Sequence, residues 1–225
     1  MEYDAFFQRF GGSARTKHIE GGEPSDTWNR RPFALPEKSG LPKGFIRLCP
    51  WEMEYVFAVA RRAKKGVLEI GRLMGGSTFL LACANSEIPI ASIDISPKDD
   101  ALLEGFFIEH GVGGNVRLFV GDSAEPRDDI GALDVIFIDG NHEYDGVRKD
   151  IEAWYPRLAD NGHLLFHDSY LGDHGVQDAV IDFLEAHPEL EILASPFIGT
   201  THWLYPTGSI AHLWKRPRAG RGGDA

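Results

Sequence analysis

From residue 50 onward, apolar residues recur in two patterns that take turns along the chain. In the first, Met53, Val56, Phe57 and Ala60 share one face of a 3.6-residue period, so Glu52 to Lys64 is expected to be helical, with Pro50 near its first turn. The second is a short unbroken apolar run, of which GVLEIG is the earliest. Ser77 to Asn85 then reads as helix, IASIDIS as strand, Asp99 to His110 as helix, and VRLFVGDS and LDVIFIDG as strands. Tyr144 to Leu158 reads as helix, GHLLFHDS as a fifth strand, and Val176 to His187 as a helix closed by Pro188. Strands that are apolar throughout belong to a parallel sheet covered on both faces. Their alternation with helices predicts a doubly wound α/β fold. The end breaks the pattern: THWLYPTGSIAHLWKR holds two runs joined by Pro206, Thr207 and Gly208. This predicts a hairpin, an antiparallel pair closing an otherwise parallel sheet.

The periodic region defines one domain, residues 46–216, and 225 residues with 43% hydrophobic content are enough for one sizeable core. Before it lies an arm, residues 1–45, whose stretch from Gly11 to Lys43 is rich in Gly, Pro and charge, with Trp28 and Phe33 scattered through it. Such a segment is either an unstructured leader, a cap over a substrate cleft, or a contact in a homo-oligomer. The tail, residues 217–225 (PRAGRGGDA), is expected to lack fixed structure. Charge narrows the partners: 34 acidic against 23 basic residues give −11, which disfavours nonspecific binding to nucleic acid or an anionic membrane. MEYDAFFQRF has no basic region followed by a long apolar stretch, so neither a signal peptide nor a membrane span is expected. Cys49 and Cys83 form no metal or disulfide spacing, and Cys83 reads as a buried free thiol. A cytoplasmic protein is the default expectation.

Chemistry concentrates where strands end. The first leads into Glu69-Ile70-Gly71-Arg72-Leu73-Met74-Gly75-Gly76-Ser77, a strand-to-helix turn whose glycines let a ligand approach the backbone. A phosphate-binding Walker loop would need Lys where Ser77 stands. A dinucleotide loop would need Gly where Leu73 stands. What remains, acidic-x-Gly-x-x-x-Gly, resembles the first motif of class I SAM-dependent methyltransferases. That resemblance implies that Glu69, Gly71 and Gly76 hold the amino-acid part of SAM. Ser77 is suited either to the SAM carboxylate or to capping the following helix. Asp94 ends the second strand, where a carboxylate can accept from both hydroxyls of a ribose. At the end of the third, the same resemblance places the adenine amino group on Asp122, with Ser123 close by.

Asp139 and His142 follow the fourth strand in FIDGNHEYDGV, and Asp168 follows the fifth in LLFHDS. Asp139 could serve the cofactor, a metal, or both. Two carboxylates on neighbouring strand ends suit Mg²⁺, which would lower the pKa of a substrate hydroxyl. His142 is placed to remove that hydroxyl's proton, with metal-free transfer by His142 alone as the other option. His167 would point away from Asp168 in an extended strand, and would join the metal shell only if the strand bends. An iron site built from His142, His167 and Asp168 lacks the expected spacing.

From about Pro50 to Lys215 the chain resembles the small-molecule class I methyltransferases grouped with macrocin-type and cephalosporin-hydroxylase-like proteins, on LEIGRLMGGST, SIDIS, GDS, FIDGNHEYDGVRKDI and YPRLADNGHLLFHDS. The resemblance implies a seven-stranded sheet in the order 3-2-1-4-5-7-6, the seventh strand antiparallel, with helices on both faces. It implies metal aspartates at Asp139 and Asp168 and a base at His142. His167 departs from the group, standing where an acidic metal ligand is expected. The catechol methyltransferase group shares the two aspartates, but has Asn at Ser169 and a Lys base that is absent between His142 and Arg148. The expected function is SAM-dependent O-methylation of a sugar or other small hydroxylated metabolite. N- or C-methylation without metal, or a non-catalytic SAM-binding role, are the alternatives.

Overall fold

The alternation of apolar runs and periodic segments resolves into a single sheet with helices on both faces. The computed structural model describes residues 41–42, 45–169, 175–194 and 209–217. In chain order the elements are α1 (Pro50–Arg61), β1 (Val67–Ile70), α2 (Gly76–Ala84), β2 (Ile90–Asp94), α3 (Asp100–His110), β3 (Val116–Val120) and β4 (Leu133–Ile138). There follow α4 (Tyr144–Trp154), a 3₁₀ turn (Tyr155–Arg157), β5 (Leu158–Phe166), α5 (Val176–Ala186), β6 (Leu190–Ala194) and β7 (Ala211–Lys215). The strands pair in the order β3-β2-β1-β4-β5-β7-β6. β1 to β5 run parallel, and β7 is antiparallel to both neighbours. This is the doubly wound, seven-stranded architecture expected.

Side-chain parity along the strands sorts the core into two layers. Val67, Val135, Phe137 and Leu165 face α1, α2 and α3, together with Leu41, Phe45, Ile46 and Leu48 from the segment before α1. Leu68, Ile70, Ile136, Ile138, Leu164 and Phe166 face α4 and α5, packing on Ile151, Trp154, Val180 and Phe183. Register then places the site. Ile70 pairs with Ile93 and Ile138, and Ile138 pairs with Phe166. The ladder runs one residue further: Gly71 N donates to Ile93 O, Asp139 N to Ile70 O, and His167 N to Ile138 O. Gly71, Asp94, Asp139 and His167 therefore leave the sheet side by side along one edge.

Two expectations are corrected. The helix expected to reach Leu158 ends at Trp154, and β5 starts at Leu158, ahead of Gly162. Pro156 explains this, since it has no N–H to continue the helical ladder. The edge strand β6 is Leu190–Ala194, which the sequence reading assigned to no element. The Thr201 to Tyr205 run of the expected hairpin, like nearly all of the arm and all but Pro217 of the tail, lies outside the described residues. Cys49 and Cys83 are both buried. No helix among the described residues is long and apolar enough to cross a membrane.

Candidate active site

The strand ends open into a cleft of about 970 Å³. Gly71, Gly76, Ser77, Asp94, Asp122, Ser123, Asp139, His142, His167 and Asp168 all line it; Glu69 does not.

The loop after β1 is shaped by backbone crowding. Gly71 has φ 85°, and a Cβ there would strike the Asp139 backbone. A Cβ on Gly76 would strike the Phe45 carbonyl. Both glycines are thus required by neighbouring chain, before any ligand is considered. Asp94 Oδ2 accepts from Arg72 N at 2.9 Å and Leu73 N at 2.8 Å, while Oδ1 accepts from Ser96 N at 2.7 Å. The carboxylate thereby holds the loop from which it is expected to reach a ribose. Glu69 is completely buried under the loop, its Oε2 accepting from Thr78 Oγ1 and Ser92 Oγ at 2.5 Å each. Oε1 makes no hydrogen bond among the described residues. Burial raises the Glu69 pKa to about 7, against the opposing pull of the Ser77, Ser92 and Thr78 hydroxyls. Ser77 is not a helix cap: α2 is preceded by Gly75 in the left-handed conformation, with no side-chain cap.

At the third strand end, Asp122 Oδ1 accepts from Ala124 N at 2.9 Å. Ser123 faces inward, its Oγ donating to Asp150 Oδ1 at 2.6 Å and its carbonyl accepting from Trp154 Nε1 at 2.6 Å. Burial raises the Asp150 pKa to about 6.

The reacting end gathers four side chains. His142 Nε2 lies 3.6 Å from Asp139 Oδ1 and 3.9 Å from Asp168 Oδ2. One ligand atom from each of Asp139, His142 and Asp168 falls within 4.8 Å of the others, a spacing that would suit one divalent cation. His167 enters differently from either expectation. β5 stops at Phe166, and Asp168 turns into the left-handed region with φ 51°, so both residues reach the centre. His167 Nδ1 sits 3.0 Å from Asp139 Oδ1 and 3.4 Å from Asp168 Oδ2, and Nε2 faces Glu52 Oε2 at 3.4 Å. Burial lowers its pKa, but Asp139, Asp168 and Glu52 outweigh that and hold the imidazole well above the ordinary histidine value. The cation-sized cluster is made of Asp139, His142 and Asp168, and His167 bridges the two aspartates to Glu52. Burial likewise pushes the Asp168 carboxyl up, and the His167 and His142 charges pull it below the usual range.

Three contributors escaped the sequence reading. Glu52 and Asp150 lie on the apolar faces of α1 and α4, in step with Val56 and with Val147, Ile151 and Trp154, and an acid on such a stripe was the available signal. Arg72 gave none. Its buried guanidinium pairs with Asp100 at 2.6 Å and donates to Ser92 O and Phe119 O, tying the loop to β2, β3 and α3.

Residues 68–169, somewhat less than half of the chain, match the family model described as a methyltransferase domain. A Sinorhizobium fredii protein of uncharacterized function, y4gI, is 28% identical over 158 residues; these are 64% of this chain and 17% of that protein, so the chain spans about a sixth of its length. Among solved structures, a Staphylococcus aureus protein assigned as a caffeoyl-CoA O-methyltransferase superposes with a TM-score of 0.60 at 16% identity, covering 75% of this chain and 84% of that one. The O-methyltransferase NovP gives 0.60 at 15%, covering 76% and 81%. SMU.1697c of Streptococcus mutans, assigned as a methyltransferase and solved with SAH, gives 0.55 at 14%, covering 73% and 97%. Fold and matched segment together define the class of architecture, the class I SAM-dependent methyltransferase fold. The particular acceptor is not named by any of these likenesses, because at such identities they share the fold alone.

Proposed function

We propose that the protein transfers the methyl group of SAM to a hydroxyl of a small molecule, a sugar or other hydroxylated metabolite, with a divalent cation at Asp139 and Asp168. The carrying observation is the convergence of Asp139, His142 and Asp168 in the cleft that Asp94 and Asp122 also line. SAM brings a sulfonium, an ammonium and a ribose diol, and the cleft offers carboxylates to each. Asp94 keeps one acceptor site, on Oδ1, for the ribose, and Asp122 and Ser123 flank the proposed adenine position. Hard oxygen donors beside an imidazole fit Mg²⁺. When bound, such a cation would acidify the acceptor hydroxyl. His142 takes the proton at Nε2. The acceptor oxygen forms its bond to the methyl carbon as the carbon–sulfur bond breaks, and the electron pair leaves with sulfur as a neutral thioether. Resemblance of FIDGNHEYDGVRKDI to the macrocin-type group, and the likeness to NovP, support an oxygen acceptor.

A second reading is favoured by His167. Its Nδ1 lies 3.0 Å from Asp139 and 3.4 Å from Asp168, carboxylates that raise its pKa, and a protonated His167 would stand in for the cation in a metal-free transfer.

Methyl transfer to a panel of glycosides and phenols separates the two readings. His142→Ala is expected to lose about 10²- to 10⁴-fold in kcat with SAH binding retained. EDTA should inhibit and Mg²⁺ restore; full activity after metal removal would leave the second reading standing. Loss of Mn²⁺ affinity in His142→Ala would make His142 a ligand and not the base.

A further inference from the structure

Glu52 is the buried carboxylate that the proposed reaction leaves unused. It enters from the first turn of α1, outside the matched segment 68–169, and is completely buried while lining the cleft. Its contacts divide into two arms. Oε2 accepts from Cys49 N at 2.8 Å and faces His167 Nε2 at 3.4 Å; the other ring nitrogen meets Asp139 and Asp168. Oε1 accepts from Ser209 N at 2.8 Å and Ser209 Oγ at 2.9 Å. Ser209 Oγ in turn accepts from Asp168 N at 3.2 Å, and Ser209 O accepts from Ser169 N and Ser169 Oγ. Strand parity produces the first arm: His167 falls on the same face as Phe137 and Leu165, the face covered by α1.

Asp168 needs such support. At φ 51° a residue with a Cβ is in a sparsely populated region, and it persists only where its surroundings over-determine it. Glu52 grips the backbone of Asp168 through Ser209 and its side chain through His167.

We propose that Glu52, acting through His167 and Ser209, is the positioning residue for the Asp139 and Asp168 carboxylates. This rests on the reading of those two aspartates as the reacting centre. A carboxylate suits the post because donors approach both of its oxygens. An amide would set N–H against the N–H of Cys49 or of Ser209.

The test uses the full chain with Ser209→Ala, Ser209→Thr and Glu52→Gln. Ser209→Ala removes one hydroxyl and keeps the Ser209 N–H bond, so it serves if Glu52→Gln fails to fold. Expected for Ser209→Ala are SAH affinity within about twofold of the unsubstituted protein, and kcat and Mn²⁺ affinity lowered about 10- to 100-fold, the scale of outer-shell ligand support. KM for the acceptor should change little, and Ser209→Thr should restore kcat. Amide hydrogen exchange at Asp168 should speed up in Ser209→Ala and not in Ser209→Thr. Unchanged kcat and Mn²⁺ affinity in Ser209→Ala, or an unchanged Asp168 exchange rate, overturns the proposal. If the unsubstituted protein neither binds Mn²⁺ nor transfers methyl, the reaction reading fails by itself. The Asp168 exchange rate then still decides whether Glu52 and Ser209 hold that residue.

Discussion

At Glu69 a carboxyl group is fully buried, with its Oε2 held by the hydroxyls of Thr78 and Ser92. Its pKa rises from the ordinary 4.5 to about 7, so the folded protein binds a proton there across a window in which the unfolded chain has lost it. Linkage fixes the sign. The contribution is most favourable below about pH 4.5 and is lost as pH climbs towards 7. Glu69→Gln removes the titration and keeps an acceptor for Thr78 and Ser92. Urea unfolding at pH 5 and pH 8 should show a smaller fall in stability for Glu69→Gln than for the unsubstituted chain, by on the order of 2 kcal/mol. Equal slopes would mean that Glu69 does not hold the proton. The residue positions read from sequence were legible unevenly for a physical reason. Types and spacing located Asp94, Asp139, His142 and Asp168 at strand ends. They could not reveal that Glu69 points beneath the loop, since a strand residue's facing depends on which helix covers that side.

Among elements, the loop between β1 and α2 shows what binds secondary structure into a site. Arg72 reaches across β2 and β3 to Asp100 at the start of α3, and Asp94 holds the loop amides from the other direction. Arg72→Met leaves Asp100 without its partner and two carbonyls without their donor. Asp100 is partly exposed, so the main loss is the donor to the two carbonyls, at about 1–3 kcal/mol. Arg72→Met should therefore unfold at lower denaturant concentration and bind SAH more weakly; stability within about 0.5 kcal/mol of the unsubstituted chain would show the pair to be incidental. The element boundaries teach a related lesson. Pro156 ended α4 where an apolar period alone continued it. β6 went unread: Leu190–Ala194 is an edge strand with exposed Leu193, so its apolar run does not mark a strand covered on both faces.

Across the whole molecule, the cleft joins every layer: the segment before α1, the β1, β2 and β4 ends, the start of α4 and the turn after β5. A ligand that bridges them should stabilise the entire domain. SAH at about 100 times its Kd is expected to add about 2.7 kcal/mol, raising Tm by about 5–10 °C for a chain of this size. NAD and ATP, which want the glycine or the lysine that the loop lacks, should shift it little. A large shift with NAD and none with SAH would defeat the cofactor assignment. The order of apolar runs and helices determined the doubly wound sheet, because local periodicity and right-handed crossovers leave few ways to arrange it. Acidic residues at successive strand ends marked the edge along which the cleft opens, because parallel strands deliver their ends to one edge. Tertiary structure alone decided that Glu52 from α1 and Ser209 from the turn before β7 meet behind His167. Those partners are separated by up to 157 positions, and no periodicity records which distant side chains a folded core brings within hydrogen-bonding reach.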